Sequence, residues 1–208
     1  MKIKILIFVS VLILLLNSCE DSEVHLPKED YSSALQLEKG NYWLYKYAAI
    51  DLESGLRIEH LDDSIFIRKD TIVDNRVYYI VENMFGLRQI KTNLSGNIID
   101  INNNIEFSAS NFTDTLYKDL DHQLFGMMKK VSCEVTVPAG TFKTVMFIVF
   151  QKNAPGHNHN ANNPSVFNHE YSIRKKVWYA EKVGVVKSVF YYGNFTGFEN
   201  SLVRYKVN

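Results

Sequence analysis

The residues best suited to metal chemistry lie in one short stretch of the chain. They are His157, His159, His169 and the adjacent Glu170. Two imidazoles separated by one residue can bind zinc or copper if a third imidazole or a carboxylate completes the site. A metal-dependent hydrolase that uses these histidines is therefore an alternative function. The stretch is rich in Asn, Pro and Gly, however, which favours a solvated loop that would hold a metal weakly. We therefore predict no metal and no cofactor.

Other catalytic patterns are missing from the sequence. It contains no nucleophile elbow, no phosphate-binding glycine loop and no pair of cysteines at metal-ligand spacing. Asp62 and Asp63 are adjacent, so in a strand their side chains would point to opposite faces and could not act as paired carboxylates. We predict no catalytic residue, and a non-enzymatic protein is favoured over an enzyme.

Cys133 has the pattern of a structural cysteine. Val131, Cys133, Val135 and Val137 alternate with polar residues, which places the thiol on an apolar face of a strand. A free cysteine in such a position behaves as a small buried hydrophobe. A catalytic thiol would instead need an electropositive and accessible setting. We expect Cys133 to be buried on the inner face of a hairpin.

Cys19 is a candidate for covalent lipidation. Lys2 and Lys4 precede an apolar run over residues 5–16, which is shorter than the ~20 residues of a membrane-spanning helix and is typical of an export signal. Leu16, Asn17 and Ser18 then precede Cys19 as in a bacterial lipobox, although Asn17 departs from the commoner small residue. The alternative is an ordinary secreted protein with a chance cysteine. We predict a signal peptide at residues 1–18, an acylated Cys19 carrying palmitate, and no disulfide.

The residues after Cys19 predict a tether. Residues 19–34 begin with an acidic run and contain few apolar side chains, so they cannot offset the entropy of ordering. The acidic run resembles the tether of surface-exposed lipoproteins of the Bacteroidota. That resemblance implies an outer-membrane lipoprotein with its domain on the outer face. Residues 35–208 are predicted to form a single β domain.

The domain has the apolar period of strands. Turn residues separate the runs at 53–55, at 74–75 and at 138–140, where Pro138 and Gly140 favour a tight hairpin. Only residues 112–128 could hold a short helix. The second strand of that hairpin is apolar on both faces in its later half. We predict antiparallel strands at 42–50, 64–72, 76–82, 87–92, 97–101, 106–109, 131–137, 141–150, 171–179, 184–192 and 201–207.

Three segments carry a family resemblance. LEKGNYWLY at 37–45, VPAGTF at 137–142, and WY at 178–179 followed by VGVVK at 183–187 occur in this order. Together they resemble a broad set of uncharacterised envelope lipoproteins, mostly of the Bacteroidota, which are similar to open-barrel lipoprotein carriers. Glu181 and Lys182 stand where such chains often have Pro-Gly. The resemblance implies an all-β fold, an open or half-closed β-barrel of roughly ten strands, and it implies no catalytic residue.

Composition limits the partners. Of 23 basic residues, loss of Lys2 and Lys4 leaves 21 against 23 acidic ones, and no basic patch appears, so nucleic acid is not expected as a partner. Thirteen Phe, twelve Tyr and two Trp supply aromatic surface, although alternating aromatics belong more often to a core than to a ligand platform. We predict a lipid-anchored envelope protein that acts as a binding or structural module. Its partners would be the membrane, through the anchor, and an apolar or glycan ligand or another protein.

Overall fold

The computed structural model describes residues 37–84, 86–153, 170–192 and 196–208, with only the backbone of Leu61, Ile90, Val131 and Ser132. Within these ranges all regular structure is β-strand. No helix there is long and apolar enough to cross a membrane. The strands are β1 Tyr42–Asp51, β2 Arg57–Val73, β3 Arg76–Asn83, β4 Arg88–Leu94, β5 Asn97–Asp100, β6 Ile105–Ser108, β7 Tyr117–Asp119, β8 Leu124–Val137, β9 Gly140–Lys152, β10 Tyr171–Ala180, β11 Gly184–Tyr192 and β12 Thr196–Lys206.

The strands form one antiparallel sheet with a simple path. Its order is β6-β5-β4-β3-β2-β1-β12-β11-β10-β9-β8-β7, so neighbours in the chain are neighbours in the sheet, apart from β6 and β7, which form its two edges. The exception is the pairing of the first strand with the last, which runs from Tyr42 opposite Lys206 to Asp51 opposite Thr196. This pair joins two six-stranded meanders. The predicted antiparallel all-β class is confirmed.

The sheet curls until its two ends face each other. Phe107 of β6 packs against Tyr179 of β10 with ring centroids 4.7 Å apart, and the Tyr179 hydroxyl donates a hydrogen bond to the backbone carbonyl of Glu106 at 3.2 Å. These contacts join the two meanders away from the β1–β12 pair. The result is a nearly closed barrel, as expected, with twelve strands in the described ranges instead of roughly ten.

Residues 112–128, which could have held a short helix, form none. Residues 117–119 form β7, and Leu124 to Met128 form the start of β8, which pairs with β9 from Gln151 to Phe147. Leu116, Tyr117 and Leu124 pack on the barrel core from these extended segments. Long-range pairing with β9 therefore supplies the backbone partners that a local helix would have supplied.

Turn chemistry sets the hairpins where the sequence predicts them. Asp74 and Asn75 have φ of +48° and +61°, the pattern of the two-residue type I′ turn that matches strand twist. Between β8 and β9, Pro138 and Ala139 form the turn, and Gly140 adopts a φ of +137°. The Ala139 amide donates to the Leu202 carbonyl at 3.0 Å, so the tip of this hairpin is tied to β12.

The core consists of three clusters. The first lies between β5–β6 and β8–β10 and includes Phe107 and Met128. The second includes Trp43, Tyr45 and Leu202, and it fills the barrel beside the first half of β1. The third contains Ile148 and Phe150, on the opposite face of β9 from Phe147 and Val149 of the first cluster. The prediction that β9 is apolar and covered on both faces is confirmed.

Candidate functional site

The residues singled out for metal binding and lipidation fall mostly outside the described ranges. His157, His159, His169 and Cys19 lie there, so the weak metal candidates and the lipidation site remain predictions. Glu170 is described and is exposed just before β10. Within the part of the chain that the structure covers, no group of three His, Cys, Asp or Glu residues could hold a metal ion.

Cys133 differs from its expected setting. Its thiol is free but half-buried, whereas Val137 at the end of the same strand is buried. The Cys133 sulfur lies 3.5 Å from the hydroxyl of the buried Thr144, which donates to the Cys133 carbonyl at 2.9 Å. Alternation is intact from Cys133 to Val137, and Val135 is half-buried as well, so this part of the strand face is less completely covered than its end at Val137.

A large cavity lies beside the second half of β1. Its volume is about 630 Å³, within the range of small-molecule sites. Trp43, Tyr45 and Tyr47 share one face of β1; the first two are buried in the second core cluster, and the third lines the cavity. Side chains therefore fill the barrel beside Trp43 and Tyr45, and the cavity begins beside Tyr47. The nine lining residues are Tyr47, His60, Asp63, Asn83, Leu87, Phe190, Tyr192, Phe198 and Asn200.

Strand register brings these distant residues together. Tyr47 lies opposite Asn200 in the β1–β12 pair, and Phe190 lies opposite Phe198 in the β11–β12 pair. Asp63 lies opposite Tyr45 in the β1–β2 pair, one pleat below Tyr47. Because side chains of paired residues share a face, the lining side chains converge from three neighbouring pairs.

The cavity has an aromatic wall. The Tyr47 and Phe198 rings are stacked, with centroids 5.3 Å apart and planes at 11°. Tyr192 meets Phe198 at the same centroid distance but at 78°, and the His60 ring lies 5.7 Å from that of Tyr47. The nearly perpendicular Tyr192 and Phe198 rings form an aromatic corner of the wall. Such a corner can hold a flat apolar body or a cation.

Two acceptor atoms in the wall lack donors. Oδ1 of Asp63 and Oδ1 of Asn200 are shielded from solvent, and neither has a hydrogen-bond partner. Burial raises the pKa of the Asp63 carboxyl, although the backbone amides of Met84 and Ser64 partly stabilise its charged form. An unsatisfied buried acceptor costs about 1–3 kcal/mol. The cavity wall is therefore polar at two points that nothing in the described chain satisfies.

A second cavity of about 420 Å³ adjoins the first and shares Phe190 and Tyr192 with it. Lys175 lines it, with its ammonium 4.9 Å from the Phe190 ring centroid. Burial lowers the pKa of Lys175, and Lys91 adds to the effect while Glu106 opposes it. Glu106 itself pairs with Lys91 at 2.5 Å.

This site was not predicted from the sequence. The prediction that Asp62 and Asp63 point to opposite faces is confirmed, because Asp62 is exposed while Asp63 lines the cavity. Asp63 alone, Tyr47 and Asn200 were not among the predicted site residues. The signal that could have found them is the presence of Asp63 and Asn200 at inward positions of otherwise apolar, aromatic strands.

Comparison with known proteins gives only distant structural similarity. No protein-family model and no curated protein sequence matches this chain. The chain is similar to the crystal structure of an inferred exported protein with a YmcC-like fold from Bacteroides fragilis, with a TM-score of 0.45 and 12% identity over 82% of this chain and 97% of that chain. It is also similar to an inferred lipoprotein from Parabacteroides distasonis, with a TM-score of 0.42 and 13% identity over 86% of this chain and all of the other.

Proposed function

We propose that this chain is a non-enzymatic binding module that holds one small organic ligand in the aromatic cavity of its barrel. The observation that carries the proposal is the pair of donor-less acceptors, Asp63 Oδ1 and Asn200 Oδ1, in the wall of an open aromatic cavity of about 630 Å³. A purely structural barrel has no reason to retain either feature. Filling the space and removing the two polar groups would each stabilise it.

The proposed ligand has an apolar body and hydrogen-bond donors. The rings of Tyr47, Tyr192 and Phe198 offer surface for the body, and the two acceptors offer partners for the donors. The terminal torsion of an Asn side chain is broad, so the Asn200 amide can turn toward a ligand, while the backbone amides of Met84 and Ser64 hold the Asp63 carboxyl in place. This arrangement binds and orients, and it contains no pairing of a nucleophile with a base among the lining residues.

The proposed setting is the bacterial envelope. The signal peptide at residues 1–18, the lipobox-like approach to Cys19 and the polar tether at 19–34 support a lipid-anchored protein at the outer membrane, exposed on its outer face. A lipid anchor and a tether would hold the barrel near the membrane while leaving the cavity accessible. We favour a small-molecule ligand over a protein partner because the polar groups converge inside a cavity.

Titration with N-phenyl-1-naphthylamine, a fluorescent apolar amine with one N–H donor, tests the proposal. We expect saturable micromolar binding to the purified full-length protein. Tyr192→Ala and Phe198→Ala should each weaken it at least about tenfold. Tyr192 is 59% exposed, so its truncation should leave the fold intact.

Leu120→Ala is the matched control, because Leu120 is 75% exposed and does not line the cavity. Thermal melts should confirm that each variant is folded. Absence of saturable binding, or equal binding by all four proteins, would refute the proposed function.

A further inference from the structure

Resting on the proposed function, we infer that the aromatic cavity selects an organic cation, a ligand whose apolar body carries an ammonium or a similar donor-only positive group. The charge of the lining points to this class. Asp63 is the one carboxylate among the nine lining residues, and none of the nine is Lys or Arg. No ion pair of Asp63 is formed within the described ranges, so no Lys or Arg there compensates its charge, which only the backbone amides of Met84 and Ser64 partly stabilise.

The two unsatisfied atoms distinguish a cation from a neutral polyol. Asp63 Oδ1 and Asn200 Oδ1 are both acceptors without donors. An ammonium group carries three donors and no acceptor, so it can donate to both oxygens and adds no acceptor that would itself require a donor. A hydroxyl donates only one hydrogen bond, and its own lone pairs would also require donors in the cavity. A site with unmet acceptors and a carboxylate that no described Lys or Arg compensates therefore fits a cation better than a sugar hydroxyl.

The aromatic corner adds to this preference. Ring faces attract cations through their quadrupole, most strongly where water is excluded. Tyr192 and Phe198 line the same cavity as Asp63 and Asn200, although Phe198 lies opposite Ala49 and Asp63 lies opposite Tyr45, several residues along β1. A ligand that spans the cavity would set its positive group against the acceptors and its body against the rings, whose attraction for positive charge adds to the preference.

Within the described ranges, no Lys or Arg side chain lies over the rings of Tyr47, Tyr192 or Phe198. Five Lys or Arg side chains lie over other aromatic rings, one of which, Phe190, also lines the cavity and is covered by Lys175. The other three cavity rings therefore have no cation from the described chain. The occupied rings are those of Tyr42, Phe66, Trp178, Phe190 and Tyr191.

A pair of probes that differ only in the terminal group, ammonium or hydroxyl, tests the inference. They are 2-(2-naphthyl)ethylammonium and 2-(2-naphthyl)ethanol, titrated into the full-length protein by calorimetry. We expect the cation to bind at least tenfold more tightly than the alcohol. Asp63→Asn should reduce this ratio below threefold while changing the affinity for the alcohol little.

Asp62→Asn is the matched control, because it removes the same charge from the adjacent, exposed position on the other face of β2. It should keep the tenfold ratio. Asn200→Asp provides a second variant in case Asp63→Asn is poorly folded, and it should tighten binding of the cation severalfold without tightening that of the alcohol.

The outcomes separate the two proposals. If both probes bind equally and Tyr192→Ala weakens both, the selection for a cation is overturned while the aromatic site stands. A tighter alcohol, or a ratio that Asp62→Asn lowers as much as Asp63→Asn, also overturns it. If neither probe binds, both the selection and the binding function fail.

Discussion

Glu199 shows how one buried charge is compensated in this barrel. Its carboxylate accepts from Arg57 at 2.5 Å, from Ser201 at 2.8 Å and from Lys187 at 2.9 Å. Burial by itself would raise the pKa of Glu199, but the hydrogen bonds from Lys187, Ser201 and Arg57 outweigh it and lower the pKa below its usual value of 4.5. The Asp63 carboxyl receives only backbone hydrogen bonds, from Met84 and Ser64, and burial raises its pKa.

Glu199→Gln should destabilise the protein by about 2–3 kcal/mol, because it leaves the two cations without their counter-charge. Partial exposure of Arg57 keeps the cost below that of a fully buried pair. Urea unfolding measures the change. Glu59→Gln, which removes the exposed partner of Lys46, should cost less than about 1 kcal/mol and serves as the control.

The lowered pKa of Glu199 also predicts a pH dependence of stability. Since the folded pKa of Glu199 is lowered, its contribution is present above the unfolded pKa and is lost as pH falls through the folded pKa. Wild type should therefore lose stability more steeply than Glu199→Gln below about pH 5. Parallel stability–pH curves for the two proteins would contradict this assignment.

Cys133→Ser should cost about 1 kcal/mol or less, because the site is half-buried and Thr144 offers a hydroxyl as hydrogen-bond partner. A fully buried thiol would have implied a larger loss. In a Cys19→Ala background, which leaves Cys133 as the single thiol, Ellman's reagent should react with the folded protein at a measurable rate. Complete resistance until unfolding would show that the thiol is sealed in the core.

At the scale of elements, β8 is shaped by a glycine. A Cβ at Gly126 would lie 2.5 Å from Phe147 Cζ and 2.9 Å from Tyr117 Cβ. The glycine therefore lets the Phe147 ring cross β8 and fill the first core cluster while β7 pairs at the edge. Close backbone approach of this kind holds β7 and β8 in strands instead of a helix.

Gly126→Ala should destabilise the protein by about 1–3 kcal/mol through overpacking. Calorimetric melting should show the loss as a lower Tm. The double variant Gly126→Ala/Phe147→Leu should be more stable than the sum of the single effects, because the smaller side chain vacates the clashing position. Strict additivity would mean that the Phe147 contact is not the source of the strain.

At the scale of the whole molecule, the barrel is closed on one side by strand pairing and on the other by side chains. The first and last strands pair along their whole length, whereas β6 reaches β10 through Phe107 and Tyr179. The chain termini of the domain therefore lie in adjacent, central strands. A tether at 19–34 would connect this centre of the sheet to the membrane.

If Cys19 is lipidated, a bacterial host that carries out lipoprotein acylation should incorporate labelled palmitate into the expressed protein. Cys19→Ala should abolish the label and release the protein from the membrane fraction, because a thioether-linked lipid cannot form on alanine. Cys133→Ala, the other cysteine of the chain, is the matched control and should keep the label. Label retained by Cys19→Ala would refute the lipoprotein assignment.

The sequence by itself determined the local structure of this protein. Period-two patterns and turn residues predicted the antiparallel strands and the hairpins at Asp74-Asn75 and at Pro138-Ala139, because alternation and positive φ are properties of neighbouring residues. The two-sided burial of β9 followed from its uninterrupted apolar run. Such features need no knowledge of which distant strand is the partner.

Only the tertiary structure decided the fate of residues 112–128, the half-burial of Cys133 and the existence of the cavity. Each depends on how separate strands pair and cover one another. In the sequence, nothing separates the three cavity residues Tyr47, Asp63 and Asn200 from other inward-facing positions. The β1–β2 and β1–β12 registers bring them together around one cavity. Whether an inward side chain fills a core or lines a cavity is set by what the opposite wall supplies, and sequence periodicity does not contain that information.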